Sequence, residues 1–411
     1  MKNKTFKTEN GRILRLLEEA GAGGEGVVYR AKDTGSGEAM AVKIFNARFK
    51  TAQTIERIRY LASLNLHQES PVIFAPFDTI VNGEVGHCAS WADGMALVDQ
   101  LQNPDFPLML GLQTGLALAH GIAVMHSKQI SHGDLHAENV KVNRNGDVLE
   151  VALVDVDNFT APGLPEPQMI GQALYLAPEE REELDRGGNP TPSIGTDNFQ
   201  LAILLHEILL LRHPAAGYDD DENRFAAAMS SGQWVQDRNR NFPDVAPRLG
   251  GYPVGVLSPE VEGLFRTAFS RNPKERPTAN MWKEALARAI NAIGVCPCCG
   301  VQFIVDSGKR ACPVCKHGFP SLVLRVAGVP PIPLQSAAVV IGRHELNNAP
   351  KVSERHVIFR KIGPETHIES VGMNPTFRWA GSRWVQLPNN RPLLVKQGDR
   401  LRFADVEAEV A

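Results

Sequence analysis

Residues 130–139 read Ile130-Ser131-His132-Gly133-Asp134-Leu135-His136-Ala137-Glu138-Asn139, and the strand-like run Val151-Ala152-Leu153-Val154 that follows ends in Asp155. A carboxylate thus stands five residues before an amide, with a second carboxylate at a strand end. Asp134 can orient a hydroxyl, while Asn139 and Asp155 offer the oxygen donors that Mg²⁺ prefers. Upstream, Gly21-Ala22-Gly23-Gly24-Glu25-Gly26-Val27-Val28 fits the spacing GxGxxGxV. Bare Gly21, Gly23 and Gly26, followed by Val28, let backbone N–H groups approach phosphate oxygens. Seventeen residues after Gly26, Lys43 ends an Ala-Val-Lys strand. Alone, such glycines occur in ordinary turns and such a lysine is a solvated strand end. In this order they form a phosphate cradle, a cation and two acidic stations.

Phosphoryl transfer needs that arrangement, because its work is to position the nucleophile and neutralise charge on the β and γ phosphates of ATP. Residues 10–293 resemble a eukaryotic-like Ser/Thr protein kinase domain of bacterial type. The resemblance implies an α+β bilobal fold, with an N-lobe over 10–92 and a C-lobe over 93–293. It makes Asp134, Lys43, Asn139 and Asp155 the catalytic set, Gly21, Gly23, Gly26, Val28 and Lys43 the ATP site, and Asn139 and Asp155 the Mg²⁺ ligands. Ala177-Pro178-Glu179 matches the end of the activation segment, Asp197 the buried helix-F aspartate, and Arg276 the arginine that pairs with Glu179. A glutamate from helix C should meet Lys43. The candidate is Glu56, in the helix-spaced set Ile55, Ile58, Leu61, Leu64 before a hinge around Ala89–Ala92.

Three departures from that pattern matter. Gly133 replaces the arginine that reads a phosphorylated activation loop, so activity should not depend on the hydroxyls of Thr160 and Tyr175. His136 replaces a lysine near the γ-phosphate, and His-Gly-Asp-Leu-His also resembles aminoglycoside and choline kinases, so a small-molecule substrate is the alternative. Asp155-Val156-Asp157 keeps the metal ligand and loses a glycine; Asp157 either assists a second Mg²⁺ or is solvated. A catalytically weak scaffold is a further reading, opposed by the retention of all four catalytic residues.

Of six cysteines, five fall between Cys296 and Cys315. Cys296 with Cys299 and Cys312 with Cys315 make two CxxC knuckles, which together close a tetrahedral Zn²⁺ site without an open position. Residues 294–320 resemble a zinc ribbon, with Cys298 as a spare thiol. A redox pair is the rival reading. About 25 residues bury little core, so metal should supply the folding free energy. Cys88 reads as a small buried apolar residue.

Residues 321–411 read as short alternating strands, including Ala338–Ile341 and His356–Lys361. The order Ile341-Gly342-Arg343, Ser353-Glu354-Arg355-His356, Gly372-Met373-Asn374-Pro375-Thr376 resembles a forkhead-associated (FHA) domain, an all-β sandwich that binds phosphothreonine. The resemblance implies that Arg343, Ser353 and Arg355 hold the phosphate, that Asn374 holds the ligand main chain and that His356 braces the loop. Guanidinium groups and a hydroxyl suit a dianionic phosphate. Pro375 replaces the glycine usual there. An FHA fold that only packs on the kinase is the structural alternative.

Composition agrees with this multidomain reading. The 411 residues are 43% hydrophobic and 22% charged, with 36 Gly and 28 Pro, as in globular chains. Net charge −3 carries no nucleic-acid signature. Residues 1–294 hold 28 Lys+Arg against 37 Asp+Glu, and 321–411 hold 12 against 8, so the C-terminal region suits an anionic partner. The longest apolar helix is expected near Leu201–Leu211, where His206 and Glu207 make it too polar to span a bilayer. A polar N-terminus without a signal peptide and clustered cysteines point to the cytoplasm. The layout resembles bacterial kinases that operate beside a PP2C-type phosphatase and a von Willebrand factor A protein.

Overall fold

The computed structural model describes the chain except residues 1–2, 147, 168–170, 217–221, 241–250, 306–308, 310, 320–321, 335–337 and 363, with 222–226 described as backbone. The expected boundary between residues 320 and 321 lies outside the described residues. By its contacts the chain divides into two compact units, Met1–Val254 with Glu260–Ala287, and Gly255–Pro259 with Arg288–Ala411.

The first unit begins with alternating apolar and polar residues, the pattern of a sheet with one face covered. Strands β1 (Thr5–Lys7), β2 (Ile13–Ala22), β3 (Gly26–Asp33), β4 (Ala39–Phe45), β5 (Asp78–Ile80) and β6 (Gly86–Ser90) form one sheet in the order β1-β2-β3-β4-β6-β5. Its pairs are all antiparallel. Leu14, Leu16, Val42, Ile80 and Cys88 fill its buried face. Helix α1 (Ala52–Ser63) starts where Thr51 Oγ1 accepts the Thr54 amide at 3.1 Å, satisfying a free N–H of the first turn. It buries Ile58, Leu61 and also Arg57.

The larger, helical part contains α2 (Leu108–Ser127), α3 (Pro178–Asp185), α4 (Ile194–Leu210), α5 (Pro259–Ala268) and α6 (Ala279–Ile290). The longest apolar helix is α2 and not the expected Leu201–Leu211 stretch. Among the described residues it is the one helix long and apolar enough to cross a membrane. Leu112, Leu118 and Ile122 on it are fully buried. A Cβ at Gly111 would lie 2.8 Å from Ile208 O, so this glycine permits the close approach of α2 to α4. A small antiparallel ladder of β7 (Met95–Ala96), β8 (Val140–Asn145) and β9 (Val148–Leu153) follows, and the segment 128–139 hangs between α2 and β8.

In the second unit β10 (Ile293–Val295) pairs with β11 (Gln302–Ile304). Helix α6 thus ends at Ile290 and gives way to a strand that leads into the first cysteine knuckle. Beyond it lie two antiparallel sheets, of six and four strands. Their inward residues, including Leu324, Ile341, Phe359, Ile368, Leu401 and Phe403, make one core. This is an all-β packing of two layers.

Candidate active site

A cleft of about 520 Å³ lies in the first unit, lined by the glycine-rich turn, Lys43, Ala89 to Ala92, Asp134, Asn139 and Asp155. The turn joins β2 to β3, and the Gly23 amide donates to Gly26 O at 2.9 Å. Its glycines differ in role. A Cβ on Gly26 would sit 2.4 Å from Ile44 O, whereas nothing lies within 4 Å of one on Gly21 or Gly23. Gly26 is bare so that β3 can lie against β4; Gly21 and Gly23 are bare toward the cleft. Asn46 steadies the turn by donating to Gly24 O at 3.0 Å.

Lys43 is 6% exposed and faces three carboxylates: Glu25 at 2.8 Å, Asp155 at 2.9 Å and Asp157 at 2.8 Å. Burial opposes its charge, but the three anions outweigh burial and hold the ammonium well above its ordinary range. Asp155, in left-handed backbone at φ +58°, follows directly on β9 and Val154. Its side chain is 41% exposed and opens on the cleft. Partial desolvation and the facing Asp157 push it up to about 7 against the pull of Lys43.

On the opposite side, Asp134 Oδ1 accepts the Gln172 amide at 3.3 Å, and His136 Nε2 lies 3.5 Å from Asp134 Oδ2. Burial opposes ionisation of Asp134, but His136 more than compensates and keeps the carboxyl below its usual range. Asn139 Nδ2 donates to Asp134 O at 3.0 Å, and Val154 N donates to Asn139 O at 2.9 Å. The loop and the strand end that carry the two acidic stations are thus tied together. Beneath them the buried Asp197 accepts the amides of His132 at 2.7 Å and Gly133 at 2.9 Å. Gln200 Oε1 accepts the Leu135 amide at 3.0 Å. Asn139 and Asp155 supply hard oxygen donors, and an Asp155 carboxylate disfavoured as an anion is relieved by a cation. The residues fit Mg²⁺.

Residues 14–287 match the protein kinase domain model. The chain belongs to the protein kinase family. It is 27% identical over 296 residues to the serine/threonine-protein kinase pkn2 of Myxococcus xanthus, covering 68% of this chain and 33% of that protein. It is 24% identical over 266 residues to the serine/threonine-protein kinase PknL of Mycobacterium bovis, covering 62% of this chain and 60% of that protein. The chain therefore spans a third of one relative and three fifths of the other.

Within this kinase domain two expectations need correction. Glu56 is exposed and is not among the partners of Lys43; the neighbouring Arg57 faces inward instead. Arg57 donates to Pro165 O at 2.6 Å, to Asp157 O at 3.3 Å and to Phe159 O. Asp157 is not solvated. Its side chain is 2% exposed and pairs with Lys43 and, at 3.4 Å, with His87 Nε2. Burial opposes its charge, but Lys43 and His87 prevail and hold it well below the carboxylate range. Glu25, Arg57 and His87, and the pairing of Asp157 with Lys43, are contributions that motif reading missed.

Two further clusters lie outside the kinase domain. The Sγ atoms of Cys296, Cys299, Cys312 and Cys315 all fall within 4.8 Å of one another. Cys296 to Cys315 is 3.6 Å and Cys299 to Cys312 is 3.7 Å, far from bonded. Four thiolates at about 2.3 Å from a tetrahedral zinc would stand about 3.8 Å apart. The amides of Cys298 and Val314 point at Cys296 Sγ and Cys312 Sγ, each at 3.4 Å, and stabilise thiolate charge. The donor set fits zinc.

In the C-terminal β region, Arg343 donates through its amide to Ser353 O at 2.9 Å and through Nε to Val352 O at 3.0 Å. Asn374 N donates to Ser353 Oγ at 3.4 Å, and its side-chain amide donates to Lys351 O at 2.5 Å. Buried His356 accepts the Ser353 amide on Nδ1 at 3.2 Å. Arg355 is exposed in the same loop. Gly342 and Gly372 make the approach possible: a Cβ on Gly342 would lie 1.7 Å from Glu354 O, and one on Gly372 2.8 Å from Ser353 Oγ.

Proposed function

We propose that this chain is an ATP-dependent Ser/Thr protein kinase whose C-terminal FHA-type module reads phosphothreonine. The observation that carries the first half is the single cleft in which Lys43, Asp134, Asn139 and Asp155 meet beneath the glycine-rich turn. Gly21 and Gly23 present backbone donors to the phosphates, and Lys43 steadies them with a fixed charge. Bound Mg²⁺, held by Asn139 and Asp155, would neutralise the charge on the β and γ phosphates. Asp134, kept ionised by His136, accepts the hydrogen of the acceptor hydroxyl and aims its oxygen in line.

A protein acceptor is favoured over a small molecule by the long segment between Asp155 and Glu179, which Arg57, Asp134 and Arg276 all hold through hydrogen bonds. Such a segment suits an extended peptide. The FHA reading is supported by the convergence of Arg343, Ser353 and Asn374 in one loop cluster with exposed Arg355 beside them, a set suited to a dianion and a peptide backbone. Tethering a phosphothreonine reader to the enzyme that makes the mark raises the local concentration of marked partners. A PP2C-type phosphatase and a von Willebrand factor A protein are the proposed partners, on the resemblance of the layout. The zinc ribbon is a structural staple between the two activities.

Phosphosite mapping of the purified chain with Mg²⁺ and ATP, beside Asp134→Ala, tests the enzyme. Threonine phosphate in the wild type alone is expected. Nucleotide binding without transfer to any protein supports the scaffold, and transfer only to small alcohols supports the other enzyme reading.

A further inference from the structure

We propose that the carboxylate orienting Lys43 on the phosphates of ATP is Asp157, from the activation segment itself, and that helix α1 has given up this task. The assignment rests on the kinase reading above and makes Asp157 a positioning residue that acts through Lys43.

The helix cannot supply the charge. Glu56 is exposed, and the side chain that α1 turns inward is Arg57, a cation that repels Lys43 and cannot pair with it. Arg57 has found other work: its guanidinium donates to three carbonyls of the activation segment, at Asp157, Phe159 and Pro165, and stacks over the Phe159 ring at 4.6 Å.

Asp157 is held from both ends. Its carbonyl accepts from Arg57 and its carboxylate reaches Lys43 Nζ at 2.8 Å. The backbone arranges this locally: Asp155 turns left-handed, and the one-turn helix Val156–Asn158 swings Asp157 into the protein with Val156 buried beside it. Glycine at residue 157 would offer no such charge.

Exposure separates the three anions around Lys43. Asp155, at 41%, opens on the cleft where a metal binds; Asp157, at 2%, lies behind the lysine and away from the cleft. That placement suits an internal counter-charge and not a second Mg²⁺ ligand. Glu25 sits on the glycine-rich turn, in the space phosphates would fill, so it is displaced when nucleotide enters. Asp157 alone can pair with Lys43 in both states.

The test is made on the full chain with Mg·ATP, measuring kcat, the KM for ATP, nucleotide affinity and thermal stability. Asp157→Asn is expected to raise the KM for ATP and lower kcat/KM by about 10- to 100-fold. Glu56→Gln is expected to stay within about threefold of wild type. In a Lys43→Met background the Asp157→Asn change should cause no further loss of ATP affinity, whereas a merely structural role would lower stability equally in both backgrounds. Asp157→Glu keeps the charge, should recover most of the affinity, and decides the matter if the Asn variant does not fold. An Asp157→Asn enzyme with wild-type KM and kcat, a full Asp157→Asn loss in the Lys43→Met background, or loss on Glu56→Gln overturns the assignment. A wild type that binds no Mg·ATP overturns the kinase reading instead.

Discussion

Arg276 and Glu179, 97 residues apart, form a two-point ion pair, with Nη1 to Oε1 at 2.7 Å and Nη2 to Oε2 at 2.6 Å. The arginine side chain is wholly buried; it also donates to Gly195 O and Ser270 O, both at 2.8 Å, and lies over the Phe199 ring. One residue thereby joins the end of the activation segment, the start of α4 and the 270–276 turn. Arg276→Ala is expected to cost about 3 kcal/mol in denaturant unfolding, because it strips several acceptors and a charge of their partner. Glu179, 34% exposed, can rehydrate, so Glu179→Gln should cost less than half as much.

The glycine-rich turn yields a separable pair of outcomes. Gly26→Ala places a methyl against the Ile44 carbonyl and should lower stability by about 1–3 kcal/mol. Gly21→Ala and Gly23→Ala meet open space and should leave the melting temperature within about 2 °C. They should nonetheless raise the KM for ATP, as seen in steady-state kinetics.

His206 is fully buried, with Trp234 Nε1 donating to its Nε2 at 3.0 Å and its Nδ1 hydrogen directed at Arg212 O at 2.8 Å. Burial, against the small help of the Arg212 carbonyl, pushes its pKa down to about 3. The native state keeps it neutral while the unfolded chain takes up a proton below about pH 6.5. Stability is therefore lost as pH falls from about 6.5, by about 1.4 kcal/mol per unit once the unfolded imidazole is charged. Between pH 7 and 4.5 the loss should be about 2–3 kcal/mol smaller in His206→Gln than in the wild type, whatever that variant costs at pH 7.

One equivalent of zinc per chain is expected by elemental analysis after purification without chelator. Cys296→Ser and Cys312→Ser should abolish it, and Cys298→Ser should not. Chelation should expose residues 293–319 to proteolysis, since among its described residues the segment buries few apolar groups besides Phe303 and Ile304. A metal-free chain equally resistant to protease would contradict this.

Arg343→Ala should weaken binding of a phosphothreonine peptide by more than about tenfold, and Ser353→Ala by less, measured by calorimetry. Equal binding by Arg343→Ala would leave the C-terminal region a packing module.

What could be read from the sequence divides along a physical line. Asp134, Asn139 and Asp155 are recognisable because each belongs to a short motif whose neighbours set its geometry. Lys43 is recognisable because a β-strand fixes its spacing from the turn. The partner of Lys43 depends instead on which face α1 turns inward. At about 100° per residue, Glu56 stands about 200° from Ile58 while Arg57 falls about 40° from Leu61. The apolar set thus puts Arg57 at the edge of the buried stripe and Glu56 on the solvent side. Asp157 and Glu25 carry no such periodic signal, since their burial is created by chain reversals that bring residues 25, 43 and 157 together. Gly342 and Gly372 are similar: only tertiary contact shows that no side chain fits there. The Leu201–Leu211 stretch reads as the longest apolar helix, yet α2 is longer, with Gly111 and Gly115 where α4 presses on it.

Gly133 sits at φ +82°, and a Cβ there would lie 3.0 Å from Asn158 O and 3.1 Å from Pro192 Cβ. The backbone here leaves no room for a side chain, and Asp197 fastens the amide. An arginine cannot be restored at this position by one substitution, because strain and collision would arrive before any benefit from reading a phosphate. The guanidinium of Arg57, permanently charged, bonds directly to three carbonyls of the segment and ties it to helix α1 without a phosphate.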